Sequence, residues 1–261
     1  MALRMRQVLT CVFLLAGSLL MLGVAIPTLF QARRFYSEVV GCWIGRVVLR
    51  IWKIDFATHY TSALPDRQTI YISNHTSTLD VMLLIALGLP RTRFFLSGYL
   101  RKFIVVAIIG YCIRVFWTVP QQFPERRRHI FRRADRILRR TGDSVYLSPE
   151  GMCVTTGEIG HFNKGSFHLA TSLKAPIVPI YIHIPSKVNG WRGYRAQSGT
   201  VDVYFLPAID TSAWRLEDLE ANRDRVRNLY LRVHQALRTH GRLPDDLWGE
   251  PTPGKLLRVA V

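Results

Sequence analysis

Apolar and polar positions divide the chain into an apolar N-terminal segment and a longer region in which strand and helix patterns alternate. Residues 8–30 carry no charge, and at about 1.5 Å per residue a helix of that length can cross a hydrocarbon core of roughly 30 Å. Arg33 and Arg34 follow without a small-residue cleavage site. The pattern therefore favours an uncleaved membrane anchor over a secretory signal peptide.

The next segment, residues 35–52, is apolar and aromatic but contains two arginines. Arg46 and Arg50 lie four positions apart and therefore share one helical face. This predicts an amphipathic helix at the membrane interface, with Trp43 and Trp52 at headgroup depth. An ordinary packed helix is the alternative.

The region after residue 60 has the pattern of an α/β domain. Apolar runs typical of buried strands alternate with runs of helical period, so we expect a largely parallel sheet flanked by helices. Strands are expected at 70–72, 93–96, 145–147, 177–184 and 201–206, and helices at 79–87, 124–140, 167–173 and 216–237. The apolar segment 99–111 is too short to span a bilayer, which leaves core burial and half-insertion open.

Two of the expected strands end in turns that carry candidate chemistry. A polar cluster after residue 72 brings His75 to a helix start, and Asp80 follows five residues later. A tight turn would fold the carboxylate back onto the imidazole, as in a general base with its orienting partner. A helix cap beside a surface histidine is the plainer alternative. The strand at 145–147 ends with Glu150 between a proline and a glycine, and parallel strands would place both turns at one sheet edge.

Four motifs in this order resemble those of the 1-acylglycerol-3-phosphate acyltransferases, a family of glycerolipid acyltransferases. N-H-T-S-T-L-D (74–80) is similar to the family's N-H-x-x-x-x-D, and S-P-E-G-M (148–152) to its F-P-E-G-T-R. F-N-K-G-S-F-H-L-A (162–170) and A-P-I-V-P-I (175–180) follow as expected. The resemblance implies that His75 takes the proton from an acceptor hydroxyl that attacks an acyl thioester, while Asp80 holds the imidazole. No acyl-enzyme is required.

The resemblance also implies substrates and binding residues. The acceptor would be a lysophospholipid, foremost 1-acyl-sn-glycerol-3-phosphate, giving phosphatidic acid. The donor would be acyl-CoA or acyl carrier protein, without a further cofactor or metal. Residues expected at the acceptor are Glu150, Gly151, Lys164, Arg101 and Lys102. At the acyl donor we expect Asn74 and Pro179.

Two arginines of the family pattern are absent from their register. Phe116–Gln121 offers no arginine after the expected Phe-Ile pair, and Met152 and Cys153 replace the Thr-Arg of the third motif. Arginine binds phosphate bidentately, so their loss weakens the expected phosphate clamp. The nearest arginines are at 126–128, and a shifted loop would bring one of them in. Alternatives are another lysophospholipid, a lyso-aminolipid such as lyso-ornithine lipid, or a non-catalytic membrane-binding protein of the same fold.

The net charge of the chain indicates the kind of surface or partner that the protein meets. The formal net charge of +17 points to nucleic acid or an anionic membrane, and the apolar N-terminal segment favours the membrane. The arginine-rich helix at 124–140 fits anionic headgroups, and no nucleic-acid partner is expected. We therefore predict an anchor and interfacial helix in residues 1–60, an acyltransferase domain in 61–241 facing the cytoplasm, and a loose tail in 242–261.

Other chemistries lack their motifs. The sequence contains no G-x-S-x-G, which argues against a serine hydrolase. It contains no H-E-x-x-H, and its four cysteines lack metal-ligand spacing, which argues against a zinc enzyme. The cysteines are expected to be buried thiols in a reducing compartment.

Overall fold

A seven-stranded sheet forms the centre of the fold, seen in a computed structural model that describes residues 3–77, 79–154, 156–188 and 197–248. The strands are β1 Ile54–Tyr60, β2 Ile70–Ser73, β3 Thr92–Ser97, β4 Phe116–Thr118, β5 Ser144–Leu147, β6 Ile177–His183 and β7 Gly199–Phe205. Their order is β1-β7-β6-β2-β5-β3-β4, and the pairs are parallel except for antiparallel β6 and β7. The prediction of a largely parallel sheet is confirmed.

Helices cover both faces of this sheet. They are α1 Leu3–Ala25, α2 Cys42–Trp52, α3 Leu79–Ala86, α4 Ile104–Cys112, α5 Pro124–Thr141, α6 Gly165–Leu173 and α7 Leu219–His240, with a π-helical segment Phe35–Gly41 and 3-10 turns Gly98–Lys102 and Asp245–Leu247. In β2, Tyr71 belongs to the apolar core under α1, α2 and α3, whereas Ile70 and Ile72 belong to the core under α5, α6 and α7. The alternation of strand side chains thus separates the molecule into two layers.

The two edge strands are the strands that the sequence pattern does not predict. β1 pairs with β7 over its full length, so the sheet begins at Ile54, before the expected domain start at residue 61. β4 has only three residues and pairs with β3. Edge strands are solvated on one side, and their mixed or short patterns therefore give a weak periodic signal.

The N-terminal helices are packed against the domain along one face. Within the described residues, α1 is the one helix that is long and apolar enough to cross a membrane, and Gly17, Met21 and Ala25 form its buried side. Trp52 is buried, and its Nε1 donates to Thr10 Oγ1 at 3.0 Å. The expectation that Trp52 lies at headgroup depth is therefore wrong, because α2 packs as a core helix; Trp43 is exposed.

The segment 99–111 is not a core segment. Only Gly110 and Cys112 of α4 are buried. α4 packs against α1, and both helices leave large apolar side chains exposed. We call this surface the apolar face; its exposed members include Val8, Val12, Leu15, Leu19, Tyr99, Phe103, Ile104 and Tyr111. It lies on the α1 side of the sheet, opposite α5 and α7.

The chain after α7 is partly packed rather than loose. Leu243 and Leu247 are buried in the same core as α7, which corrects the predicted tail for residues 242–248. Residues 249–261 of that predicted tail lie outside the described residues. The packing follows from sequence, because two leucines four apart in a turn-forming segment can both contact one surface.

Candidate active site

The turn between β2 and α3 holds His75 against Asp80. His75 Nδ1 lies 3.0 Å from Asp80 Oδ2, and Asp80 is fully buried in the first turn of α3. The same carboxylate oxygen accepts the backbone N–H groups of Thr76 at 2.8 Å and Ser77 at 3.0 Å. A carboxylate at a helix N-terminus is favoured by the unpaired N–H groups there. The predicted contact between carboxylate and imidazole is confirmed.

Asp80 also determines the proton affinity of the imidazole. Burial acts to lower the pKa of His75, but the hydrogen bond and charge of Asp80, together with the charge of Glu150, outweigh burial and raise that pKa above its ordinary value. With Nδ1 bound to Asp80, Nε2 is the nitrogen left for a ligand. The pair therefore has the arrangement of a general base with its orienting group.

Glu150 supports His75 through the backbone instead of facing a ligand. Its Oε2 accepts the His75 N–H at 2.7 Å, and its Oε1 accepts the Gly160 N–H at 2.8 Å. The side chain is buried, and burial raises the pKa of Glu150 even though these two hydrogen bonds act to lower it. Both Glu150 oxygens are bound to main-chain donors, and a role of Glu150 at the acceptor stays a prediction.

A pocket of about 460 Å³ opens at the carboxyl edge of the sheet, where β2, β3, β4 and β5 end. Its polar lining includes His75, Ser97, Gln121, Arg127 and Ser148, and Gly151 lies at its wall. The apolar lining consists of Val81, Phe95, Leu96, Leu100, Val119, Phe131, Leu147 and Met152. A mostly apolar cavity with a few convergent polar groups has the character of a small-molecule site.

Three cations expected at the acceptor lie outside this pocket. Lys164 forms an ion pair with Glu220 at the start of α7. Arg101 and Lys102 are exposed on the turn before α4, and Lys102 Nζ sits 4.7 Å from the centre of the Tyr99 ring. The expected acceptor contacts of these three residues therefore stay predictions, and none of them lines this pocket. Sequence could not reveal the pairing of Lys164, because its partner is 56 positions away.

Both residues expected at the acyl donor are used by the fold. Asn74 is buried, and its amide donates to Ile182 O at 3.0 Å and accepts Ile182 N–H at 2.8 Å. Pro179 lies inside β6 opposite Ile72. Neither lines the pocket, and their expected contact with the acyl donor stays a prediction. Asn74 instead fixes the His75 turn to the neighbouring strand.

Arg127 is a pocket cation that lies outside the four motifs. It is one of the three nearest arginines, and it projects from the first turn of α5 with Nη1 donating to Val119 O at 2.9 Å. Burial lowers the pKa of Arg127. A signal for it exists in the sequence: Arg127, Phe131, Ala134 and Leu138 follow the 4-3-4 spacing of one helix face. That face is the one α5 buries.

Metal binding has no evident site in the described part of the chain, where no three His, Cys, Asp or Glu side chains are grouped to hold an ion. The side chains that line the pocket offer one oriented imidazole, one arginine, and hydroxyl and amide groups.

Comparisons with known proteins agree with this fold and motif arrangement. The family described as Acyltransferase matches residues 55–183. The human 1-acyl-sn-glycerol-3-phosphate acyltransferase beta is 30% identical over 173 residues, which is 66% of this chain and 59% of that protein. The chloroplastic LPAT1 acyltransferase of Arabidopsis thaliana is 28% identical over 65% of this chain.

A solved structure shares the architecture. The 1-acyl-sn-glycerophosphate acyltransferase PlsC from Thermotoga maritima aligns with a TM-score of 0.63 over 90% of this chain and 98% of that one, at 20% identity. This chain combines that α/β fold with the His75–Asp80 pair at the carboxyl edge of its sheet. These matches support the acyltransferase family that includes the 1-acyl-sn-glycerol-3-phosphate acyltransferases. The chain spans about half the length of the first curated plant relatives that it matches.

Proposed function

We propose that the protein transfers a fatty acyl chain from a thioester to the hydroxyl of a lysophospholipid. The observation that carries the proposal is the His75–Asp80 pair at the wall of the 460 Å³ pocket. An oriented imidazole with a raised pKa is suited to accept a hydroxyl proton. The predominantly apolar lining provides room for acyl chains.

The proposed reaction needs no covalent enzyme intermediate. His75 Nε2 accepts the proton of the acceptor hydroxyl as its oxygen attacks the thioester carbonyl carbon. The C–S bond then breaks, and the leaving thiolate takes the proton from the imidazolium. Asp80 stabilises the imidazolium through Nδ1, at the 3.0 Å separation seen here.

The proposed acceptor is 1-acyl-sn-glycerol-3-phosphate, the substrate in the names of the curated relatives. One observation favours a second candidate, a lyso-aminolipid such as lyso-ornithine lipid. Met152 and Cys153, which replace the Thr-Arg of the third motif, line the pocket. Neither side chain is a cation, so this wall does not supply a phosphate partner.

The proposed donor is an acidic thioester, acyl-CoA or acyl carrier protein, and the proposed location is the cytoplasmic side of a membrane. The apolar face on α1 and α4 supports membrane association. The arginines of α5, which belong to the opposite layer, leave that side of the molecule strongly basic. This separation suits a lipid acceptor reaching the pocket from the membrane and an acidic donor reaching it from solution.

The test is an acceptor panel with product identification. Detergent-solubilised protein is given labelled palmitoyl-CoA or palmitoyl-carrier protein with lysophosphatidate, lysophosphatidylcholine or lyso-ornithine lipid. We expect labelled phosphatidic acid from lysophosphatidate, and none from His75→Ala. Label in the ornithine lipid alone would support the second candidate. Transfer that is independent of His75, or absent with every acceptor and donor, would contradict the proposed function.

A further inference from the structure

Three consecutive arginines lie near the start of α5, at positions 126–128, and their surroundings differ. Arg126 is exposed with its guanidinium carbon 5.2 Å from the centre of the Phe123 ring, and Arg128 is exposed beside Glu125. Arg127 is half-buried and lines the pocket that contains His75. One turn of helix thus provides a pocket cation together with two closely matched surface cations.

The charge of Arg127 has no carboxylate partner within the part of the chain that the structure describes. It belongs to none of the ion pairs found there. Its Nη1 donates to Val119 O, which leaves further guanidinium donors. A half-buried cation without a counter-charge is an unfavourable arrangement unless an anion joins it.

The amide side chain of Gln121 and the glycine Gly151 lie beside the Arg127 guanidinium. Gly151 has φ +69°, and a Cβ built on it would lie 2.9 Å from Asn163 Nδ2, 3.4 Å from Gln121 Nε2 and 3.9 Å from Arg127 Nη2. A side chain at this position would crowd the Asn163 amide and stand beside the guanidinium and the Gln121 amide, which the glycine leaves uncovered. Gln121 and Gly151 both line the pocket. The N-terminus of α5 adds a partial positive charge to this region.

We propose that Arg127, with Gln121 beside the open face of Gly151, binds the phosphate monoester of the acceptor lipid and makes the enzyme selective for a phosphorylated acceptor. This inference rests on the proposed function, because it places the headgroup in the same pocket as His75. It assigns the binding of the phosphate to a helix residue outside the four motifs. The guanidinium fork matches phosphate oxygens bidentately, which a glycerol hydroxyl cannot reproduce.

The test compares two acceptors that differ only in the phosphate, 1-oleoyl-lysophosphatidate and 1-oleoylglycerol. The measured quantity is the ratio of their kcat/KM values in wild type, Arg127→Ala, Arg127→Lys and the matched control Arg128→Ala. We expect Arg127→Ala to lower the ratio roughly 10- to 150-fold. Arg127→Lys should be intermediate because it keeps the charge but loses the fork. Arg128→Ala should resemble wild type.

The ratio separates phosphate binding from a structural effect. Losing the hydrogen bond from Nη1 to Val119 O would slow acyl transfer to both acceptors equally. The ratio of the two kcat/KM values would then be unchanged. An unchanged ratio in Arg127→Ala, or a wild-type enzyme that uses both acceptors equally well, would overturn the inference while leaving acyl transfer intact.

A binding measurement tests the inference without catalytic turnover. Calorimetry with glycerol 3-phosphate and no donor should show binding to wild type and Arg128→Ala, and a loss of roughly tenfold or more in Arg127→Ala. Equal binding by both variants would overturn the inference. Absence of acyl transfer with either acceptor would contradict the proposed function, and glycerol 3-phosphate binding would still decide the role of Arg127.

Discussion

His75 is held at two points, and each contact acts on its proposed chemistry. Asp80 binds the ring through Nδ1 at 3.0 Å, and Glu150 binds the backbone N–H at 2.7 Å. The first contact selects the tautomer and stabilises the imidazolium, and the second fixes where the ring emerges from the turn. Glu150 therefore acts as a positioning residue for His75.

The raised pKa of His75 predicts a pH dependence. The imidazole must be neutral to accept a proton, so kcat/KM should fall as pH decreases through the pKa of His75, which lies above the ordinary value. Asp80→Asn removes the negative charge that raises the pKa of His75. Burial, which lowers that pKa, is then less strongly opposed. We expect the acid-side midpoint of the kcat/KM profile to move to lower pH and the maximum rate to fall. An unmoved midpoint in Asp80→Asn would contradict the assignment.

At the scale of elements, the site depends on how the β2–α3 turn is fixed to its neighbours. β2 lies between β5 and β6. Asn74 bridges to Ile182 of β6, and Glu150, just after β5, reaches the His75 backbone. The turn is therefore fixed from both adjacent strands. A histidine on a loop gains precision when neighbouring elements bind that loop.

Replacing Asn74 tests this fixation. Asn74→Ala leaves the buried N–H and C=O of Ile182 without their side-chain partner, which destabilises by at least about 1–3 kcal/mol. We expect a drop in melting temperature of about 2–4 °C per kcal/mol, together with reduced acyl transfer. Asn228→Ala, on the exposed side of α7, is the control and should melt like wild type. Equal melting of both variants would show that the bridge contributes nothing.

The sequence predicts elements better than it predicts what their side chains contact. Hydrophobic period and turn residues locate β2, β5, β6 and the helix α5 to within one or two residues, and the spacing of His75 and Asp80 is local enough to imply their contact. Asn74 and Glu150 could not be assigned in this way, because their partners belong to segments that are distant in sequence. The position of Arg127 follows from the helical period of α5, once the buried face of that helix is identified.

At the scale of the whole molecule, the pocket and the apolar face are connected through one short segment. Leu100 lines the pocket, and its neighbours Tyr99 and Phe103 belong to the apolar face. The ion pair between Arg33 and the buried Asp143, which also binds Arg93 at 2.7 Å, ties the chain after α1 to the sheet. The apolar face is therefore a fixed part of the domain, and a membrane bound there would lie close to the pocket.

A charge placed on the apolar face should weaken membrane binding. Ile104→Asp removes an apolar side chain that is 75% exposed on α4 and should reduce binding to phosphatidylglycerol-containing vesicles by roughly tenfold. Leu216→Asp, at an exposed leucine just before α7 in the opposite layer, is the matched control. Flotation assays measure both. Equal losses in the two variants would contradict a specific membrane-facing surface.

Initial rates of acyl transfer test the proposed role of His75 as the base. His75→Ala and the control His240→Ala, an exposed histidine at the end of α7, are compared with palmitoyl-CoA and lysophosphatidate at saturating concentrations. We predict that His75→Ala loses about 10²- to 10⁴-fold in kcat, while His240→Ala stays within twofold of wild type. Wild-type turnover by a folded His75→Ala variant would contradict the role of His75 as the base.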